Sequence, residues 1–456
     1  MTAVTFFAFY LVAIMALESV TIPTVYRGDF GKTRRIDLSG IVLADDVEKE
    51  LARFYAGHRD PGKTLFDFLD AQYVEVAALV VCISTAVQMI EKTVRPYFGL
   101  PRSKGVRDFL RVWRFPEAIS DATVTPFEDL LLTDDRQYLS ESQSTYDGIG
   151  KGLEVLEYDP DWLPNSGAKR NFFEFITFRG PGRGPIPVDT TSAAVPRKES
   201  RRWTAPLIEQ VLRRHLGEGS SKEDVARVVV YEAMSNAIRH PEARVIQVVS
   251  KFDRRDKTLS PTAIHSAPEG SLRICVWDDG QSIVSTLLPL VEKGAKVRAF
   301  QFPPFMCEKI LVQLRTFDKR VQKGIVIDQG EEISTKMPLE PYLLLASLFP
   351  GVSRTVADPV PGVEPFEAGL HDIPPALSYS APGMGLYALA RTVLDQFQGQ
   401  LVLRSGNYRL SYEVAHDVYR VQKNVRYKCK ITSYPEEYPS FRGNLLTMQL
   451  PIKSTD

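Results

Sequence analysis

The chain has 456 residues, enough for two or three domains, and its 44% hydrophobic and 25% charged content is that of a globular protein. Lys plus Arg and Asp plus Glu stand at 56 each, so net charge singles out neither nucleic acid nor an anionic membrane as a partner. Four cysteines, Cys82, Cys275, Cys307 and Cys429, lie far apart with no CxxC spacing, which argues against zinc and a disulfide framework and suits a reducing, cytoplasmic setting.

Residues 1–19 form an apolar leading segment: 6–17 is almost wholly apolar, and no Lys or Arg precedes Arg27. A secretory signal carries a basic n-region and a spanning helix needs about 20 apolar residues, so the run is short for both. A packed helix or strand is the expectation, with membrane association through residues 1–17 or a mis-assigned start as the alternatives.

A first folded unit is expected over residues 20–120. Within it, 64–79 reads as a buried strand, a loop bearing an acid and then a helix that continues to Ile90. Upstream, 36–40 and 45–55 suit a preceding strand, turn and helix. This pattern resembles the central motif of STAS domains, the anti-sigma-factor antagonist fold. A generic α/β unit, in which Glu75 merely starts a helix, is the alternative. In the STAS alignment the place of the phosphoacceptor falls on apolar Val76 and Ala77, with Ser84 and Thr85 one to two turns on, so the unit is expected to be a fixed docking surface without a phosphate switch.

Basic and aromatic residues interleave over 106–118, including Arg107, Arg111, Arg114, Phe109, Trp113 and Phe115, and this reads as a strand or edge helix with a solvated face rather than a nucleic-acid patch. Residues 121–200 are expected to connect two units, with a Gly/Pro-rich linker at 179–202.

From 203 to 456 the order of segments carries the chemistry. Glu232 and Asn236 stand four apart in a helical stretch and so share one face. An acid and an amide one turn apart are common on solvated helices, but two further elements follow in order. Residues 272–283 form an apolar alternating run that ends in Asp278, Gly280 and Ser282, and Gly383 and Gly385 open a helical segment beginning at Leu386 and running to Gln398. After Gly399 come strands at 400–405 and 444–451.

Together these residues resemble the N, G1 and G2 boxes of the GHKL superfamily, the ATP-binding fold of gyrase B subunits, histidine kinases and MutL-type proteins. The resemblance implies an α/β sandwich of Bergerat type, with a mixed sheet backed by helices and ATP and Mg²⁺ as cofactors. It implies that Asn236 ligates phosphate-bound Mg²⁺, that Glu232 is the general base, and that Asp278 accepts from the adenine amino group. Gly280 then lets the backbone pass close to the base, and Gly383, Gly385 and Leu386 meet the phosphates at a helix N-terminus. Ser282 replaces the family's second glycine. Residues 284–382 are expected to hold the ATP lid and an insertion, in which 337–352 is either a core helix or a gating element.

Three functions follow from the resemblance: an ATP-hydrolysing switch coupled to the STAS-like unit, a serine/threonine protein kinase resembling anti-sigma-factor kinases, or a non-catalytic nucleotide sensor. A histidine autokinase is disfavoured, since His215 lies seventeen residues before Glu232 and His240 belongs to the N box. ATP and either a protein partner or contact between the two units are the expected partners. No nucleic acid is expected, and a homodimer has family precedent but no heptad seam. A bacterial regulatory protein in the cytoplasm fits this set.

Overall fold

The computed structural model describes residues 24–30, 34–57, 62–138, 172–179, 233, 236–237, 243–254, 270–292, 309–316, 323–327, 337–348, 385–415, 425–435, 438 and 441–452. The expectations for residues 1–17, Glu232, Gly383, His215, His240, Cys307 and the linker beyond Arg179 fall outside them.

The chain is mixed α/β. In the N-terminal part, β1 (Arg35–Asp37), β3 (Lys63–Asp67) and β5 (Arg95–Gly99) form a parallel sheet with β3 central, and β2 (Gly40–Val42) pairs in parallel with β4 (Ala71–Val74). Helices α1 (Ala44–Gly57) and α2 (Val76–Glu91) make the crossovers that parallel strands require. The stretch expected to be a loop before α2 is the strand β4, because Tyr73 and Val74 find partners in β2. The basic and aromatic stretch at 106–118 is no strand. It lies in α3 (Lys104–Val112) and α4 (Phe115–Thr123), joined at Arg114, which adopts a left-handed conformation, with Trp113 and Phe115 buried.

The second sheet has nine strands in the order β10-β9-β13-β12-β11-β14-β8-β7-β6. These are β6 (Phe172–Arg179), β7 (Val245–Arg254), β8 (Gly270–Asp278), β9 (Lys309–Thr316), β10 (Lys323–Ile327), β11 (Gln400–Gly406), β12 (Tyr408–Val414), β13 (Val425–Ser433) and β14 (Phe441–Ile452). All neighbours are antiparallel except β9 and β13. Two expectations change here. Residues 172–179, assigned to a connector, supply an edge strand, and the 284–382 interval gives two strands to the other edge.

Register places apolar rows on one face: Leu403, Leu446, Val276 and Val248 form one row, and Leu401, Met448 and Ile274 the next. This front face is covered by α5 (Ile283–Glu292), α6 (Leu339–Ala346), α7 (Gly385–Arg391) and the helical residues Ala233 and Ala237. Of the two readings for 337–352, the core helix holds for α6, whose Leu343, Leu344 and Leu345 are fully buried. Helix α7 runs on into a π-helical turn, Thr392–Gln396, and then Gly399, where a Cβ would stand 2.1 Å from the Gln449 carbonyl oxygen.

The back face presents Arg404, Leu445, Trp277 and Gln247 in one row and Thr447, Cys275 and Val249 in the next. It packs on the N-terminal part, so the two share one hydrophobic core. Helix α2 explains why. Every residue from Val76 to Met89 is buried, and a helix apolar on all sides needs cover on all sides. It lies between β5 and the back of β14, β8 and β7. Polar ties line the same boundary: Lys251 Nζ donates to the Tyr73 hydroxyl at 2.8 Å, Gln247 Nε2 to the Ala118 carbonyl at 2.7 Å, and Arg273 pairs with Glu75. Glu75 precedes α2 without a side-chain hydrogen bond to that helix, and its other carboxylate oxygen accepts from Ala44 N at 2.9 Å.

Candidate functional site

The apolar rows of the front face end in a polar one. Ser405, Asn444 and Asp278 stand side by side on β11, β14 and β8, flanked by Ile246 on β7. All three polar residues are at most 4% exposed. Burying such groups is unfavourable unless each finds partners, and here they satisfy one another. Ser405 Oγ donates to Asn444 Oδ1 at 2.6 Å, and Asn444 Nδ2 lies 3.3 Å from each Asp278 carboxylate oxygen and 3.0 Å from the Gln281 carbonyl. Gly280 N donates to Asp278 Oδ1 at 3.0 Å. Both Ser405 Oγ and Asn444 Oδ1 accept from Ile283 N, the first amide of α5. The row thus fixes the carboxylate rotamer, the turn after β8 and the start of a helix.

The sequence picked out Asp278, Gly280 and Ser282 in this turn. Asn444 and Ser405 it missed as a site, because they lie 166 and 127 residues away from Asp278 along the chain and look like ordinary strand residues. The available signal was a polar residue at an inward position of each alternating strand. Ser282, which stands where the family has its second glycine, bonds the start of α5. Its Oγ accepts from Ser285 N at 3.1 Å and its carbonyl receives Thr286 N at 3.0 Å, so it is the N-cap of α5 and its hydroxyl is spent on the helix.

Asn236 lies beside Ala233 and Ala237, which pack into the front-face core together with Ile283 and Leu287 of α5. Its carboxamide nitrogen is buried with no hydrogen-bond partner among the described residues. A buried donor left open in this way fits a ligand rich in acceptor oxygens, as a phosphate chain is. Gly385 is the first residue of α7, and Leu386 packs against the same core. Asp278, Gly280, Ser282, Asn236, Gly385 and Leu386 therefore all belong to the helix-covered face or its rim.

The residue after Asp278 is also a buried acid. Asp279 is 1% exposed, and its Oδ1 accepts from Arg244 N at 2.6 Å and Val245 N at 2.8 Å, while Arg244 Nε lies 3.2 Å from its Oδ2. Burial raises its carboxyl above the ordinary value, against the lowering by these backbone donors and by Arg244 and Arg442. The thiol of Cys275, behind the site on the back face, is pushed up to about 12 by burial. Among the described residues no helix is long and apolar enough to cross a membrane.

Comparison of the chain with protein-family models, with curated proteins and with solved structures finds no match.

Proposed function

We propose that this is a Mg-ATP-binding regulatory protein of GHKL type, acting in the cytoplasm as an ATP-hydrolysing switch coupled to a STAS-like N-terminal unit. The observation that carries the reading is the buried Asp278 carboxylate, held at the end of β8 on the helix-covered face by Gly280 N and Asn444 Nδ2. A fixed acceptor at the rim of an apolar face suits an exocyclic amino group on a flat, largely apolar ring. The unpartnered Asn236 amide, on a helix over the same face, supports a phosphate end for the ligand. Bound Mg²⁺ would neutralise phosphate charge, with the Asn236 carboxamide as its protein ligand and Glu232 as base for the attacking water.

Titration calorimetry with Mg-ATP tests the binding. Asp278→Asn keeps the shape but can present a donor to the adenine amino group, and losing a hydrogen bond to a charged acceptor costs about 1.5–3 kcal/mol, roughly ten-fold to more than a hundred-fold in affinity. Equal affinity in wild type and mutant, with matching circular dichroism, would remove Asp278 from the site. Labelled ATP then separates the chemistry: free phosphate marks the switch, labelled protein a kinase, and binding alone a sensor.

A further inference from the structure

Resting on the nucleotide reading of Asp278, we infer that Glu91, the last residue of α2 in the N-terminal part, is a positioning residue for the adenine end of that site. Its carboxylate bridges two arginines of the sheet. Oε1 pairs with Arg244 Nη2, and Oε2 lies 2.5 Å from Arg442 Nη1. Both arginines reach from there to the residue after Asp278. Arg244 Nε pairs with the Asp279 carboxylate at 3.2 Å, and Arg442 Nε donates to the Asp279 carbonyl at 3.0 Å. Glu91 thus stands one arginine away from both the side chain and the backbone of the turn that aims Asp278.

The surroundings leave that turn little freedom. The Arg442 carbonyl receives Trp277 Nε1 of β8 at 3.1 Å and Ser84 Oγ of α2 at 3.4 Å, so α2 holds Arg442 through Ser84 as well as through Glu91. Next to Arg442 is Gly443, with φ +69°, where a Cβ would stand 1.7 Å from the Asp278 carbonyl oxygen. Backbone of β14 therefore lies directly on the end of β8, and a shift of Arg442 moves Asp278. Glu91 and the two arginines are each about one third exposed, so the bridge is within reach of solvent and of anything that competes for it. By linkage, nucleotide held by Asp278 strengthens the seating of α2, and loosening α2 weakens nucleotide binding.

The test uses the full chain with Glu91→Ala, Glu91→Gln and, as an interface control remote from the turn, Asp45→Ala, which frees Arg409. Two readouts are taken. Amide hydrogen exchange without nucleotide is expected to quicken in residues 278–283 of Glu91→Ala and not of Asp45→Ala. Calorimetry is expected to show ATP binding weakened about three- to ten-fold in Glu91→Ala, allowing for partial exposure of the bridge. Glu91→Gln, which keeps an acceptor, should fall between, and tripolyphosphate, which lacks the base, should bind both proteins alike. Unchanged exchange in residues 278–283 overturns the inference whatever the nucleotide result. So does an equal effect of Asp45→Ala, which would mark general loosening. Quickened exchange in a chain that binds no ATP even as wild type would leave Glu91 holding the turn and remove the nucleotide reading instead, so that Glu91 positions no adenine.

Discussion

The boundary between the N-terminal part and the sheet contains a buried ion pair whose loss can be estimated. Arg404 on the back face and Glu48 on α1 are each 2% exposed, with Arg404 Nε 2.6 Å from Glu48 Oε1. The Tyr434 hydroxyl donates to the other Glu48 oxygen, and the guanidinium sits 4.1 Å from the Tyr434 ring centroid and 5.1 Å from that of Phe441. Glu48→Ala would strand this guanidinium without a counter-charge. It would also leave Arg404 Nε and the Tyr434 hydroxyl without their acceptor, where Arg404 Nη2 already has no hydrogen-bond partner among the described residues. Removing one member of a buried pair costs about 3–5 kcal/mol, against about 1 kcal/mol for a partly exposed pair such as Asp45 with Arg409. Urea unfolding followed by tryptophan fluorescence, with Trp113 and Trp277 both in the shared core, should show the midpoint falling by roughly 1–2 M in Glu48→Ala. Replacing both partners by apolar residues, Glu48→Leu with Arg404→Met, should recover most of the loss. A cost below about 1 kcal/mol in Glu48→Ala would refute the stranded-charge argument, and a double mutant no better than the single would assign the cost to lost packing.

Gly443→Ala should destabilise by more than about 1 kcal/mol, since the position combines a left-handed φ with no room for a Cβ, whereas Gly105→Ala, inside α3 with only Ser103 Oγ near at 3.9 Å among the described residues, should be neutral or stabilising. Thermal melts of the two compare them directly, and equal melting temperatures would contradict the backbone contact between β14 and Asp278. Burial raises the carboxyls of Asp67 and Asp135, against the lowering by Arg27 that both share. A folded-state pKa above the unfolded one means that the folded chain binds more protons between the two values, so these groups add stability as pH falls through the raised values toward the ordinary carboxylate range. The stability of wild type relative to Asp67→Asn should therefore grow in urea titrations as pH falls from neutral toward the ordinary carboxylate range, about pH 4, and a difference independent of pH would contradict it.

The residues that the sequence singled out were those whose meaning is local. Asp278 closes an alternating run and Gly280 follows within two residues, so strand, acid and turn can be read from a dozen positions. The strands at 400–405 and 444–451 and the helix from Val76 announce themselves by period in the same way, and the structure places β11, β14 and α2 there. Ser282 shows the limit of reading by alignment: set against a glycine pattern it is a departure, yet its hydroxyl caps α5, a role visible only once the helix begins at Ile283.

What the tertiary structure decided is whatever depends on register and on which face meets which. Asn444 and Ser405 become neighbours of Asp278 only because β14 pairs with both β8 and β11 in one register, and a slip of β14 by one residue would turn Asn444 to the other face, away from both. The shared core had a trace in the sequence, since apolar residues over 76–89 fall on every side of the helix, but hydrophobicity has no direction and names no partner. That α2 is covered on one side by its own sheet and on the other by the back of β8 and β14, so that Glu91 arrives beside Arg244 and Arg442, rests on contacts between residues more than 150 positions apart. Local periodicity fixes each element, and only the packed chain brings their ends together.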